Sequence, residues 1–389
     1  MRTWVSLSSL LLLLSAVGLL LAACGTLPSV GSVAAIIPVG ATPAAGLAAE
    51  SSAVWVPSDL DGSISRVDPA TNSVSARIQP GDARSCSLCL GAVAMQSGAV
   101  WVTSSSARLA LVGIDRRSNR VSSSAPLPVF PSAVIADEDG SLWLASVLDS
   151  TVVRFNPASQ QIVARMRLPR PSRLAAGDGA IWVIARPDEI GEGLIVRIDP
   201  RTNMIAASVE VGLQPTAIAY GEGGVWVIDE ASQRLQRIDP NANAIVASVP
   251  TGFLPSGVAA GEGSIWVISQ SAAGVDGPAL SRIDPSNNAV LGSLAVGPGV
   301  PVGLAVGAGS VWVATRNPDT IVRVQPVGAP GGSHESAWLL PAVLAAALIV
   351  VVWVWPKAAR AAGWTSRRRG DQLEALRRFS ETRQTTRSA

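Results

Sequence analysis

A tryptophan returns at nearly regular intervals through the middle of the chain, and this repeat limits the possible folds more than any other feature. Each copy lies in a short apolar run that follows a turn of small residues. The mean spacing is about 43 residues, which is typical of four-stranded propeller blades. The seven marker tryptophans are Trp55, Trp101, Trp143, Trp182, Trp226, Trp266 and Trp312. Seven copies predict an all-β, seven-bladed β-propeller, with these large apolar side chains packed between blades as structural residues.

The second half of each repeat carries the element Arg-x-Asp-Pro, which is clearest from Arg237 to Asn243. Proline presets φ and the aspartate accepts hydrogen bonds from backbone N–H groups ahead of it, so each copy predicts a tight turn between the third and fourth strands. The arginine recurs in six blades, whereas Gly113 takes its place in the second. It is interpreted as a structural partner of its own turn or of a neighbouring blade. A ring of cation sites for an anionic ligand is the alternative.

Together these elements resemble the YVTN-type β-propellers and, among them, the virginiamycin B lyase-like proteins. The resemblance rests on motifs such as Ser-Ile-Trp-Val at residues 264–267 and Arg-Ile-Asp-Pro at residues 282–285, and it covers residues 33–326. It implies the propeller fold, but says little about activity, because propellers host many functions. Lyases of this family use histidine for proton transfer, with a divalent cation nearby. The single histidine of this chain, His334, lies outside the repeats, so no lyase residue can be carried over.

The repeats are out of phase with the ends of the propeller. The last blade shows only three strands, near residues 302–306, 310–314 and 320–324. Residues 33–40 align with the fourth-strand residues 245–252, so the N-terminal strand is predicted to complete the last blade and leave no open edge. Both ends of the propeller should then leave from the rim that carries the third-to-fourth-strand turns.

Residues 1–24 have the features of a lipoprotein-type signal peptide. Arg2 is followed by an apolar run that ends in Leu-Ala-Ala-Cys, which resembles the lipobox of bacterial lipoproteins. Cys24 is therefore predicted to be lipidated, with an uncleaved signal anchor as the alternative. Residues 25–32 form a linker between this segment and the propeller.

A second apolar segment, residues 337–355, follows the propeller after a linker at residues 327–336. It has 19 residues without charge and tryptophans near both ends, as a transmembrane helix requires. A buried core helix is the alternative, but such a helix would show a polar face. The tail, residues 356–389, has a net charge of +6. By the positive-inside rule this tail is cytoplasmic, so the propeller is predicted to be extracytoplasmic at a bacterial cell membrane.

The residues between the two apolar segments carry a net charge of −5. A mildly acidic body argues against nucleic acid as a partner, because phosphate neutralisation needs a basic face. Cys86 and Cys89 lie close together in the loop between blades one and two. Outside the cytoplasm such a pair is expected to form a disulfide, with a redox-active pair or a zinc site as alternatives. Neither a metal nor a cofactor is expected.

Acidic residues recur in the loops of the predicted outward rim, where they could form a mouth that binds a cation or a basic ligand. They are Asp59, Asp61, Asp149, Asp188, Glu189, Asp229, Glu230, Asp276 and Asp319. Ordinary turn chemistry is the alternative for these carboxylates. Two loops, residues 186–193 and 269–278, are longer than the others, and long loops on a rigid scaffold often carry binding sites.

These observations favour a membrane-anchored, extracytoplasmic propeller that acts as a non-enzymatic binding or scaffold module. Its partner would be a protein or a small molecule on the outward face, and the N-terminal lipid and C-terminal helix would hold it to the membrane. A virginiamycin B lyase-like or hydrolytic enzyme that uses acidic loop residues is one alternative. A transmembrane sensor that couples an outer ligand to the basic tail is another.

Overall fold

Seven four-stranded antiparallel sheets form a ring in the computed structural model, which describes residues 30–40, 42–80, 90–96, 98–104, 109–187 and 192–328. The first strand of each sheet contacts the first strands of the sheets before and after it, so seven first strands surround a central channel. This arrangement is a seven-bladed β-propeller and confirms the fold predicted from the tryptophan repeat.

The strands are short because glycine, proline or a polar turn interrupts the apolar sequence every few residues. In chain order, β1 to β28 are Gly31–Pro38, Ala48–Glu50, Ala53–Pro57, Ile64–Asp68, Ser73–Ile78, Leu90–Gln96, Ala99–Ser104, Ala110–Asp115, Arg120–Pro126, Ala133–Ala136, Leu142–Ser146, Thr151–Asn156, Gln161–Arg167, Arg173–Gly177, Ala180–Ala185, Leu194–Asp199, Met204–Glu210, Pro215–Gly221, Gly224–Asp229, Arg234–Asp239, Ala244–Pro250, Phe253–Gly261, Ser264–Ser271, Ala279–Ile283, Val290–Ala295, Val300–Gly307, Ser310–Arg316 and Thr320–Pro326. Blades one to six are β2–β5, β6–β9, β10–β13, β14–β17, β18–β21 and β22–β25.

Blade seven joins the two ends of the propeller, as the sequence predicts. Its sheet order is β26, β27, β28 and then β1, and β1 runs antiparallel to β28. The register pairs Gly31 with Pro326 and Pro38 with Thr320. The strand therefore begins two residues before the propeller start predicted at residue 33, because Gly31 and Ser32 also have partners on β28.

The hydrophobic core lies between neighbouring blades rather than within a single sheet. One cluster joins Trp226 and Leu235 of blade five to Val258 and Ile265 of blade six. The second strand of a blade has neighbouring blades over both of its faces, so β15 and β19 are buried along their whole length.

The turns between third and fourth strands form as the Arg-x-Asp-Pro element predicts. In blade five the Asp239 carboxylate accepts hydrogen bonds from the backbone N–H groups of Asn241 and Ala242, at 2.8 and 3.1 Å. Asn243 then has a φ of 50°, a left-handed conformation that asparagine tolerates well. A register shift directly after Arg237 recurs at the equivalent position of other blades and tightens the approach to the turn.

The antiparallel order of strands separates the loops into two rims. The turn rim carries the first-to-second-strand and third-to-fourth-strand turns, and both ends of the described chain leave from it. The loop rim carries the second-to-third-strand loops and the connections between blades.

The segments predicted to contact the membrane, residues 1–24 and 337–355, lie outside the described residues, as do Cys24, Cys86 and Cys89. Within the described part of the chain, no helix is long and apolar enough to cross a bilayer.

Candidate functional site

The marker tryptophans lie beneath the turn rim and are buried. Trp101 is 6% exposed, and the other six have no exposed surface. In six blades the repeated arginine lies over the tryptophan ring of its own blade, with its guanidinium carbon 5.1–5.8 Å from the ring centroid. Contacts of this kind contribute about 0.5–2 kcal/mol each, depending on how far they are desolvated.

Five of these arginines also connect their blade to the next one. Arg282 donates to the carbonyl oxygen of Val327 at 2.7 Å, and the other four share one arrangement. In blade four, Arg197 Nη1 donates to the carbonyl oxygen of Pro240 at 2.9 Å and to Asn243 Oδ1 at 3.2 Å, both in the turn of blade five. Arg154, Arg237 and Arg323 use the same two acceptor positions in the blades that follow them. We call this arrangement an arginine staple. It favours the structural interpretation of the repeated arginines, because the protein itself occupies their N–H groups.

The two predicted loop-rim acids of blade one bind partners within the protein. Asp59 forms an ion pair with Arg316 of blade seven. Asp61 accepts hydrogen bonds from the backbone N–H and the hydroxyl of Ser63, at 2.9 and 2.7 Å. Burial raises the pKa of Asp61, but the hydrogen bonds of Ser58 and Ser63 and the charge of Arg77 together outweigh it, so the pKa lies below its usual value.

Asp149 and Asp229 hold their own loops. The Asp149 carboxylate accepts from the Ser146 hydroxyl at 2.6 Å and from the backbone N–H of Phe130 at 2.7 Å, and these bonds lower its pKa. Asp229 is buried and accepts from the backbone N–H of Gln214 at 3.0 Å. Their geometry is that of turn-forming carboxylates.

The remaining acids are dispersed around the rim. Asp276 is exposed, Glu230 and Asp319 are partly buried, and Asp188 and Glu189 lie outside the described residues. Across the described ranges, no three aspartate, glutamate, histidine or cysteine side chains come close enough to hold a metal ion. The structure therefore does not bring the predicted acids of this part of the chain together at one point, and a ligand-binding role for them stays a prediction.

A different residue stands out at the mouth of the central channel. Arg173 begins β14, the first strand of blade four, at the loop-rim end. Its guanidinium Nη1 makes only long contacts, with the carbonyl oxygens of Ser132 at 3.5 Å and Ser172 at 3.4 Å. No carboxylate of the described residues pairs with it. The side chain is exposed, yet desolvation by the surrounding blades lowers its pKa.

The surroundings of Arg173 are polar but lack negative charge. The Ser132 hydroxyl donates to the carbonyl oxygens of Ala145 and Pro171, at 3.0 and 3.3 Å. On the next inner strand, Thr216 has a buried hydroxyl oxygen that no described residue hydrogen-bonds. A guanidinium with free N–H groups in a partly desolvated setting is suited to bind a carboxylate or a phosphate group. This mouth is the candidate binding site.

Sequence reasoning missed Arg173, although the repeat contains a signal for it. Near the start of the first strand, blades three to seven carry a proline, a short side chain and then one further residue. That further residue is Ala133, Arg173, Ala217, Gly257 and Gly303 in blades three to seven, respectively. One large cation among glycines and alanines is a departure from the repeat that an alignment of blades would show.

No protein-family model and no curated protein sequence matches the chain. Solved structures do match it. A streptogramin B lyase is 18% identical, with a TM-score of 0.59, over 75% of this chain and 97% of that one. Virginiamycin B lyase from Staphylococcus aureus is 18% identical, with a TM-score of 0.59, over 74% and 95% of the two chains. Hydrazine synthase of Kuenenia stuttgartiensis is 11% identical, with a TM-score of 0.62, over 75% and 97%.

A further match is a catalytically inactive histidine-to-alanine variant of virginiamycin B lyase from Staphylococcus aureus with quinupristin, 17% identical at a TM-score of 0.60. It covers 74% of this chain and 97% of that one. Similarities at this level of identity concern the fold. They confirm that the chain is a virginiamycin B lyase-like β-propeller in architecture, as the two repeated motifs predict.

Proposed function

We propose that the chain is a non-enzymatic binding module, held by both ends at the outer face of a bacterial membrane, that takes a ligand or partner protein on its loop rim. One observation carries this proposal. Gly31 pairs with Pro326, so both ends of the propeller leave side by side from the turn rim. The loop rim is then the face that remains free.

The sequence supports anchoring at the turn rim. Only residues 25–30 separate β1 from the predicted lipidation site Cys24, and only residues 327–336 separate β28 from the second apolar segment. Ten extended residues reach at most about 36 Å. In this proposal the turn rim therefore lies near the bilayer, and the basic tail after residue 356 lies in the cytoplasm.

The mouth of the channel supplies the binding chemistry. Arg173 is the exposed cation there, and it has no carboxylate among the described residues to neutralise it. We expect it to bind a carboxylate or phosphate group of a small molecule or of an acidic protein loop. The acidic residues of the loop rim would then hold the surrounding loops in place. Their negative charge would also repel ligands that carry a large negative charge.

A binding role is favoured over a lyase role by the residues present. The repeats, residues 33–326, contain no histidine. In the lyase, the histidine-to-alanine variant is catalytically inactive. Asp59, Asp61 and Asp149, which could have replaced a histidine base, bind arginine, serine or backbone groups instead.

The binding site can be tested with citrate as an anionic probe on full-length protein in detergent at constant ionic strength. Citrate at ten times its dissociation constant should raise the unfolding temperature by about 3 °C. Arg173→Gln should abolish this rise, because the bidentate donor is lost. The matched control is Arg201→Gln, an exposed arginine of the same blade on the turn rim, which should respond as the wild type does.

The control also defines the contradictory result. If Arg173→Gln and wild-type protein gain the same stability from citrate, the anion binds elsewhere and the channel mouth is not the binding site. If Arg201→Gln alone loses the response, the binding face is the turn rim and the proposed orientation is wrong.

A further inference from the structure

Blade two lacks the arginine from which the staple is built. The repeated arginine lies over its tryptophan in blades one and three to seven, and Gly113 occupies its position in blade two. Gly113 pairs with Ser123 and follows the same strand geometry, including the register shift directly after it. The position is therefore equivalent in backbone, and only the side chain is missing.

A cavity lies where this side chain would reach. Its volume is about 520 Å³, and it is lined by Gln96, Trp101, Asp139, Arg154, Asn156 and Pro157, among others. Trp101 is the one marker tryptophan with exposed surface. Across the cavity, the turn of blade three has a left-handed Gln160, with a φ of 57°, where the turn of blade four has Asn203 at 56°.

The neighbouring blades show what such a position holds. Arg154 lies over Trp143 at 5.4 Å and donates to Asn203 Oδ1 at 2.9 Å in the next turn. At blade two, Trp101 and Pro157 of the next turn both line the cavity, whereas Gly113 offers no guanidinium to either.

We propose that this cavity binds the guanidinium group of an arginine side chain from a partner protein that reaches the turn rim at the membrane surface. The group would stack on Trp101 and donate to the carbonyl oxygen of Pro157, which stands where Pro200 accepts the bond of Arg154. A planar cation with several fixed donors suits this site better than an ammonium group, because one face stacks while the edge donates.

The charges around the cavity allow a second cation. Asp139 forms an ion pair with Arg154, so the two side chains together contribute no net charge. Where the guanidinium of Arg154 contacts blade four, it lies beside a similar pair. This pair is Arg197 and Asp178, whose Nη2 and Oδ2 atoms are 3.9 Å apart. The protein therefore already places a guanidinium next to an arginine–aspartate pair, in the same relative position.

The site is independent of the anion site at the channel mouth. It lies on the turn rim between blades two and three, whereas Arg173 begins the first strand of blade four on the loop rim. A negative citrate experiment would therefore not contradict the arginine site, and a negative titration with the arginine compound would not contradict the anion site.

The first test needs no variant. Full-length protein in detergent is titrated with N-acetyl-arginine N-methylamide, which mimics an arginine within a chain, and with the citrulline analogue, which has the same shape without charge. The arginine compound should bind at least about tenfold more tightly, because cation–π and charged hydrogen bonds are lost in the neutral one. Equal binding of the two compounds would overturn the proposal. Tighter binding of free arginine than of the blocked arginine compound would show that the guanidinium does not come from a protein.

The second test rebuilds the staple of the other blades. A side chain at position 113 would collide with the Ser123 hydroxyl, and its Cβ would lie 3.1 Å from Trp101. The equivalent strand partners of Arg154 and Arg197 are Ala164 and Ala207, so the variant combines Gly113→Arg with Ser123→Ala. It should lose at least about tenfold in affinity for the arginine compound, because its own guanidinium fills the cavity. Ser123→Ala alone is the matched control and should bind as the wild type does.

A variant on the exposed side of the cavity keeps the test decisive if the double variant fails to fold. Ala158 is exposed in the turn that lines the cavity, so Ala158→Trp can fill the space from outside without touching a strand. It should lower the affinity as strongly as the double variant does. Unchanged binding in a folded filled variant would overturn the proposal.

Discussion

Two arginines of blade four, Arg197 near the turn rim and Arg173 at the loop rim, have very different surroundings. On the turn rim, Arg197 stacks on Trp182 and donates two hydrogen bonds to the next blade. On the loop rim, Arg173 makes two long contacts with carbonyl oxygens and has no counterpart in the equivalent strands of blades three, five, six and seven. A residue repeated in each blade serves the ring, whereas one that departs from the repeat is where we expect binding.

Gly113 extends this comparison to the turn rim itself. There the departure is a missing side chain, and it leaves a cavity rather than an unpaired charge. Blade two also lacks a connection on its other side, since no described residue hydrogen-bonds the buried Asn119 Oδ1, whereas the equivalent asparagine of four other blades accepts from an arginine. Blade two therefore departs from the repeat on both of its sides.

The largest effect should separate Arg197 from Arg173. Arg197→Ala should lower the free energy of unfolding by about 2–3 kcal/mol, because it removes a cation–π contact and leaves two acceptors of blade five without a donor. Arg173→Ala should change it by less than about 0.5 kcal/mol, since no strong contact is lost. Denaturant unfolding of full-length protein in detergent measures both.

The comparison fails if the two variants lose the same stability. Equal losses would mean that Arg173 is as structural as Arg197, and that departure from the repeat does not mark a binding residue in this propeller.

A smaller effect should be shared by both rims. The hydroxyl of Ser146 and the backbone N–H of Phe130 lower the pKa of Asp149 below its usual 3.8, and backbone N–H groups of the turn do the same for Asp239. A carboxylate whose pKa is lowered by folding stabilises the protein above its unfolded pKa, and this contribution is lost as the pH falls through the folded pKa. Stability should therefore decline between about pH 5 and pH 2.

The variants Asp149→Asn and Asp239→Asn sharpen this point. Each should be less stable than the wild type at pH 7 and should show a shallower decline with acid, because one titrating group is gone. Unfolding midpoints measured across the pH range test this expectation. A decline as steep as that of the wild type in both variants would show that these carboxylates do not contribute to the acid response.

The sequence was sufficient for those features that are local or repeated. The spacing of the tryptophans predicted the number of blades, and the aspartate–proline elements predicted the tight turns between third and fourth strands, as at Asp239. The closing strand could also be predicted, because residues 33–40 align with a complete fourth strand elsewhere in the chain.

Contacts between distant residues could not be predicted in the same way. Asp59 was expected to take part in a ligand site, yet it pairs with Arg316, which lies 257 residues further along the chain. The isolation of Arg173 also depends on neighbouring inner strands from different blades, which only the closed ring brings together. A sequence repeat predicts the structure of each blade. It does not predict which side chains of different blades come into contact when the ring closes.

The central claim is that the loop rim faces outward and the turn rim faces the membrane, and labelling of single cysteines on intact cells tests it most directly. Leu148→Cys and Asp276→Cys are placed on the loop rim and Asn241→Cys on the turn rim, in full-length protein that carries Cys86→Ser and Cys89→Ser. All three positions are exposed, so they should react equally fast in detergent. On intact cells, an impermeant thiol reagent should label the two loop-rim positions several-fold faster, because the bilayer shields Asn241→Cys. Faster labelling of Asn241→Cys, or no labelling at any position before lysis, would contradict the account.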